Sequence, residues 1–148
     1  MAKLGGDSTA EIEAPIDQVW ALVEDVENAP QWQGGLKGME ALERDSDGRA
    51  ALCESKTDAK VTTATAIVRF TYEPPLRLSW RQEKGDLKAV EGHWELEDLG
   101  ERTRATYKIE VDLGRMLGLM VRGPIVDLLR KELAGARAGE LKRAVEAG

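Results

Sequence analysis

Two shortages in this chain of 148 residues close whole classes of function: it holds one cysteine and one histidine. Cys53 alone cannot form an internal disulfide, and a chain without one fits a reducing compartment. No histidine stands near Cys53 in sequence, so a Cys-His pair is not indicated, and His93 sits in no Ser-His-Asp pattern. Zinc-ligand spacing, a phosphate-cradling glycine loop and an EF-hand loop are also missing. No basic run occurs, and 21 Lys and Arg against 27 Asp and Glu leave a net charge of −6. That balance gives no electrostatic footprint for nucleic acid or for an anionic membrane surface. No apolar run approaches the ~18 residues of a membrane span, and Met1 to Gly6 lacks the apolar stretch of a signal peptide. The expectation is a cytosolic protein with no nucleic-acid partner and no membrane insertion; oligomeric state is not legible.

What the chain does have is a change of period. The length suits one domain, 1–148, with the small, polar residues 1–7 as a loose end. Ser8 to Ala14 alternates as a half-buried strand. Pro15 starts a helix carrying Ile16, Val19, Trp20, Val23 and Val26 at helical spacing, and Asn28-Ala29-Pro30 stops it. A second short turn is expected over Gln31-Trp32-Gln33 before Gly34-Gly35. From there the period is two. Strands are predicted over 38–45, 49–57, 61–72, 76–83, 87–97 and 103–112, with Asp47-Gly48 as the first hairpin turn and Pro74-Pro75 as a later one. Gly92 inside a strand predicts a sharp bend or a close backbone approach.

Gly123-Pro124 then opens one long helix to Val145. Its apolar stripe is Ile125, Leu129, Leu133 and Ala136, and Arg130, Lys131, Arg137, Lys142 and Arg143 mostly lie away from it. Six consecutive strands with short turns must form an antiparallel meander. Each has one apolar face, and the final helix is the element able to cover it. The fold class is α+β.

Several stretches resemble a known family. Ala14-Pro15-Ile16-Asp17-Gln18-Val19-Trp20 followed by Trp32 is similar to the opening of the START-like, Bet v 1-like (SRPBCC) superfamily. Gly92-His93-Trp94-Glu95-Leu96, Thr103-Arg104-Ala105-Thr106-Tyr107 and a terminal helix ending in Leu141-Lys142 follow the same pattern. Its polyketide cyclase/dehydrase and coenzyme Q-binding-like branch is the nearest. The resemblance spans about residues 8–145 and lies in apolar positions, not in a catalytic signature. It implies a helix-grip fold: a seven-stranded antiparallel sheet curved around a long C-terminal helix, two short helices between strands 1 and 2, and a hydrophobic cavity. Ligands in that family include lipids, sterols, quinones, plant hormones and aromatic polyketides. Fold alone does not set function.

The candidate ligand-binding residues follow from the apolar faces. Phe70, Tyr72, Leu78, Trp80, Trp94 and Tyr107 fall on inner faces of four strands, where aromatics either fill a core or line a ligand site. Ile125 and Leu129 would face them from the helix. Trp32, flanked by glycine and proline, reads as a mouth residue. Met116, Leu117, Leu119, Met120 and Val121 are apolar on every helical face. They form either a flexible rim with Gly118 and Gly123 as hinges, or a buried turn capping the core.

His93 falls on the outward face beside Glu91 and Glu95, which with Glu97 read as solvated. Arg69 and Gln82 are the polar strand residues to inspect. No cofactor is expected, and the sequence names no catalytic residue. Three functions remain: a binder or carrier of a small hydrophobic molecule (lipid, quinone or aromatic polyketide), an aromatase/cyclase-like enzyme acting by pocket shape, and a co-chaperone-like interaction module.

Overall fold

The structure is a computed structural model. It describes residues 3–58, 62–120 and 123–148, apart from the side chains at 116, 117, 120 and 132. The strands are β1 (Lys3–Ile12), β2 (Leu36–Arg44), β3 (Ala50–Asp58), β4 (Thr63–Glu73), β5 (Arg77–Gly85), β6 (Ala89–Asp98) and β7 (Thr103–Asp112). They form one 7-stranded sheet in the order β1-β7-β6-β5-β4-β3-β2. Every neighbouring pair is antiparallel. The expected meander runs from β2 to β7, and β1 closes it by pairing with the far side of β7. Between β1 and β2 lie α1 (Ile16–Glu24) and a 3-10 helix (Val26–Gln31). A helical run follows the sheet: α2 (Gly114–Met120), α3 (Pro124–Arg130), a π-turn (Lys131–Gly135) and α4 (Arg137–Ala147). This is the helix-grip arrangement.

Three local expectations change. The first concerns the N-terminus, where β1 begins at Lys3, not Ser8. Leu4 is buried with Val111, Leu113 and Leu129, and Lys3 pairs with Asp112. The residues there are small because the final helix rests on them: a Cβ on Gly6 would lie 2.9 Å from the Cβ of Ala134. Smallness read as looseness was close packing. The second change is the short turn after α1, which spans Val26–Gln31 and takes in Pro30, with Trp32 following it.

The third change is in the long helix, which is broken in phase. At its π-turn Ala136 N–H bonds Lys131 O, one residue further back than in an α-helix. Ser8 of β1 fills the gap that results. Its hydroxyl donates to Ala134 O at 2.6 Å and accepts from Ala138 N–H at 3.0 Å. A side chain inserted into the ladder is a recognised cause of a helix irregularity. One extra residue turns the following helix by about 100° relative to an unbroken one. The inward stripe therefore runs through Ala134, Ala138, Leu141 and Val145, all buried, and Ala136 is only half-buried. Arg137, expected away from the apolar stripe, is turned inward and is 3% exposed.

The helix consequently packs on two separate clusters. Ala134, Ala138, Leu141 and Val145 join the main core with Val19, Trp20, Phe70, Leu78, Trp94 and Tyr107. Leu129, with Ile125 and Leu133 beside it, joins Leu4, Val111 and Leu113. The aromatics of the sheet are thus faced by α4, whereas Ile125 and Leu129 lie over the other end of β1 and β7.

Candidate functional site

The concave face of the sheet keeps a cavity of about 110 Å³ below the 3-10 helix. Phe70 from β4, Leu78 and Trp80 from β5, Trp94 from β6 and Tyr107 from β7 line it, and Trp32 closes it from the loop. These rings touch in series. Phe70 and Trp80 lie 6.3 Å apart, Trp80 and Tyr107 5.4 Å, Tyr107 and Trp94 4.8 Å, and Trp94 and Trp32 6.3 Å, all tilted or edge-on. Such spacings are those of mutually attractive aromatic pairs. The register explains the cluster: Phe70, Trp80 and Gly92 stand opposite one another across β4, β5 and β6, and Leu78, Trp94 and Tyr107 across β5, β6 and β7. Gly92 is the close approach foreseen in the sequence. A Cβ there would lie 2.7 Å from Trp80 Cζ2 and 2.6 Å from Lys108 O, so the Trp80 ring lies over bare backbone.

Of the residues singled out in the sequence, six meet at this cavity: Trp32, Phe70, Leu78, Trp80, Trp94 and Tyr107. Three do not. Tyr72 lies two residues beyond Phe70 on the same strand, its hydroxyl donating to Ala50 O at 2.6 Å and its ring under the Arg49 guanidinium. Burial pushes that phenol's pKa upward. Ile125 and Leu129 belong to the second cluster. The side chains of Met116 and Met120 lie outside the described residues, as do Val121 and the side chain of Leu117; Leu119 is exposed.

The wall also includes residues that the sequence reading did not select. Met39 and Leu36 from β2, Ser55 and Thr57 from β3, and Val90 and Ile109 line it alongside Val23, Val26, Ala29 and Gln33. Ser55 is 7% exposed and is flanked by Met39 on one strand and Ala66 on the other. Its signal was present in the alternation of Cys53, Ser55 and Thr57 along β3.

One charged group lies just behind this wall. Arg137 sits over the Tyr107 ring, 5.6 Å from its centroid, within cation–π range. It pairs with Glu140 one turn along α4. Together they hold both backbone groups of Gly34: Arg137 Nη1 donates to Gly34 O at 2.9 Å, and Gly34 N–H donates to Glu140 Oε2 at 3.0 Å. The ion pair thereby ties the loop carrying Trp32 to the helix. Gly34 suits the contact because a Cβ would sit 2.5 Å from Glu140 Oε2. Burial raises the pKa of the Tyr107 phenol, with Arg137 opposing part of the shift.

The remaining chemistry-bearing residues lie elsewhere. Cys53 is fully buried and its thiol is pushed up to about 11, chiefly by burial, which leaves it a protonated core residue. His93 is on the opposite face of the sheet, 3.6 Å from Glu95. Arg69 pairs with Glu83 on that same face. Gln82 donates to Leu87 O at 2.8 Å beside the β5–β6 turn.

A wider trough of about 670 Å³ runs over the outer face, lined by Arg69, Arg77, Arg81, Glu83, Glu91 and His93 among others. Its charges are matched across strands, Arg69 with Glu83 and Arg81 with Glu91, in the exposed pairing that contributes about 0–1 kcal/mol each. Among the described residues no three His, Cys, Asp or Glu side chains cluster closely enough to hold a metal ion, and no helix is long and apolar enough to cross a membrane.

Residues 12–136 match the family described as polyketide cyclase/dehydrase and lipid transport. The chain belongs to that family. No curated protein matches this sequence. Among solved structures, a START superfamily protein from Mycobacterium smegmatis is 24% identical over 97% of both chains, with a TM-score of 0.81. A protein from Thermus thermophilus is 19% identical over 97% of both, with a TM-score of 0.80. The Zhui aromatase/cyclase from Streptomyces sp. R1128 is 18% identical over 97% of this chain and 94% of its own, with a TM-score of 0.72. At these identities the likeness is one of fold. For a polyketide cyclase/dehydrase and lipid transport protein, hydrophobic ligand binding is the property common to the family; the ring-lined cavity here lies between the sheet, α1, the 3-10 helix and the Trp32 loop, and no described residue of the C-terminal helix lines it.

Proposed function

We propose that this protein binds or carries a small hydrophobic molecule (a lipid, quinone or aromatic polyketide) in the cavity beneath Trp32, with Phe70, Leu78, Trp80, Trp94 and Tyr107 as its walls. The observation that carries this reading is the series of five tilted or edge-on rings around space that no described side chain fills. Tilted aromatic faces around a void are what an apolar guest needs, because they offer contact area at little cost in side-chain freedom. A single buried thiol fits work in a reducing cytosol.

An aromatase/cyclase role has less support. Among the described residues the cavity lining includes no histidine or carboxylate to move a proton. A co-chaperone-like role would suit a filled interior, and this one retains a void. The test is native mass spectrometry of the protein purified from a heterologous host, followed by titration of the stripped protein with lipid, quinone and polyketide mimics. A retained or rebinding apolar ligand is expected. A protein that takes up none of them, with its tryptophan emission unmoved, would overturn the reading.

A further inference from the structure

The cavity wall holds a hydroxyl that the fold leaves for something else. The Ser55 hydroxyl is on the inner face of β3, in a side chain 7% exposed, and it lines the void. Among the described residues no side-chain hydrogen bond ties it to the protein, whereas the inward hydroxyls of Ser8 and Thr103 each donate to a carbonyl. A hydroxyl on a cavity wall with no protein partner normally meets water or a ligand.

The rest of the lining limits what that ligand can be. Among the described residues, no Asp, Glu, Lys or Arg side chain faces the cavity. Arg137, which lies over the Tyr107 ring, is already committed to Glu140 and Gly34. An ionised guest would lose its hydration and find no counter-charge. Size is the second limit. An apolar cavity of roughly 150 Å³ takes up benzene, and this one measures about 110 Å³, so a single ring is the upper limit.

We infer that the ligand presents a single, neutral ring bearing one hydrogen-bonding group, with the ring between Phe70, Trp80 and Trp94 and the polar group on Ser55 Oγ. This rests on the binding function proposed above and narrows its ligand class. Longer molecules would enter by such a ring, their remaining length outside the cavity. Ser55 is then the residue that orients the ligand and selects against purely apolar rings.

The test is isothermal titration of the full chain with phenol, toluene, benzoate and 2-naphthol, repeated on Ser55→Ala. Phenol is expected to bind more tightly than toluene, and benzoate and 2-naphthol at least tenfold more weakly than phenol. Ser55→Ala should weaken phenol about 2- to 10-fold, the range of one neutral hydrogen bond, and leave toluene unchanged, which also shows that the variant is folded. Three results would overturn the inference: benzoate matching phenol, 2-naphthol exceeding it, or phenol and toluene weakening together in Ser55→Ala. If all four probes fail while a long-chain lipid or a multi-ring polyketide mimic binds, the ligand class is wrong and the binding function stands. If nothing apolar binds, both fall.

Discussion

Replacing Glu140 tests whether the ion pair behind the cavity acts as a buried one. Glu140→Leu removes the carboxylate that Arg137 and the Gly34 N–H share, and it leaves a guanidinium whose side chain is only 4% exposed. Stripping one partner from a buried pair costs about 3–5 kcal/mol, because the other charge stays desolvated. Arg137 keeps Gly34 O and the face of Tyr107, and Glu140 is 16% exposed, so water reaches that end of the pair. The lower limit, about 3 kcal/mol, is therefore expected. It is a large part of the roughly 5–15 kcal/mol that holds a domain folded.

The reverse change is asymmetric. Arg137→Met leaves Glu140 free to turn toward solvent and keeps the buried space filled, so about 1–2 kcal/mol is expected. The double variant should cost little more than Arg137→Met alone, giving a coupling of about 2 kcal/mol. Urea unfolding followed by tryptophan emission measures all three. A loss below about 1 kcal/mol for Glu140→Leu, or strict additivity in the double variant, would mean that the pair behaves as an exposed one and does not fasten the Trp32 loop.

Other perturbations report on different contacts. Ser8→Ala leaves Ala134 O and Ala138 N–H without their bridge and should cost about 1–3 kcal/mol, with faster amide exchange at Ala138; unchanged exchange would show that the helix closes its own ladder. Gly92→Ala places a Cβ within 2.7 Å of both Lys108 O and Trp80 Cζ2, so a loss of about 1–3 kcal/mol or more is expected; calorimetry showing no change in Tm would mean that the bend is not tight. His93 is 22% exposed, and its pKa is lowered below 6.5 by burial and then by Arg77. The unfolded chain therefore takes up this proton more readily, so stability present above pH 6.5 is lost as pH falls through the lower folded value. His93→Gln should flatten the dependence of stability on pH in that window, and an unaltered slope would refute the assignment.

Much of this architecture was legible because period-two alternation is a strong signal. Val68, Phe70 and Tyr72, then Leu78 and Trp80, then Trp94 and Leu96 declare their inner faces residue by residue, and β7 begins and ends where its alternation does. The resemblance carried by the Ala14-to-Trp20 stretch supplied the strand count and the cavity. What escaped the sequence depends on contacts between distant residues. Ser8 is 126 residues from Ala134, so nothing local announces that its hydroxyl breaks the final helix. The phase change hid Arg137 among surface charges, although the spacing of Ala134, Ala138, Leu141 and Val145 offered a second stripe that a reading anchored on Ile125 and Leu129 passes over. Ser55 was missed for another reason. A serine between Glu54 and Lys56 looks solvated by itself; its alternation with Cys53 gives the inward phase, and the register with Met39 and Ala66 confirms it.

The two halves of the C-terminal helix do not grip the sheet equally, and the π-turn divides them. In α3 only Leu129 is buried among the described residues. Burial of one leucine contributes about 1.5–3 kcal/mol, and Ile125 and Leu133 add part of that each from the margin of the second cluster. By contrast, α4 buries Ala138, Leu141 and Val145 and carries the buried Arg137, ion-paired with Glu140. Lifting α3 from Leu4, Val111 and Leu113 therefore costs much less than lifting α4 from the aromatic cluster. The Trp32 loop is bound to α4 through Gly34, so it shares the fate of the firmer half. The helix break that Ser8 stabilises lies between these regions, where bending interrupts no α-helical hydrogen bond between Ala134 and Ala138, because the serine already makes both. The same side chain that fixes the phase of the grip also marks where it is cheapest to loosen.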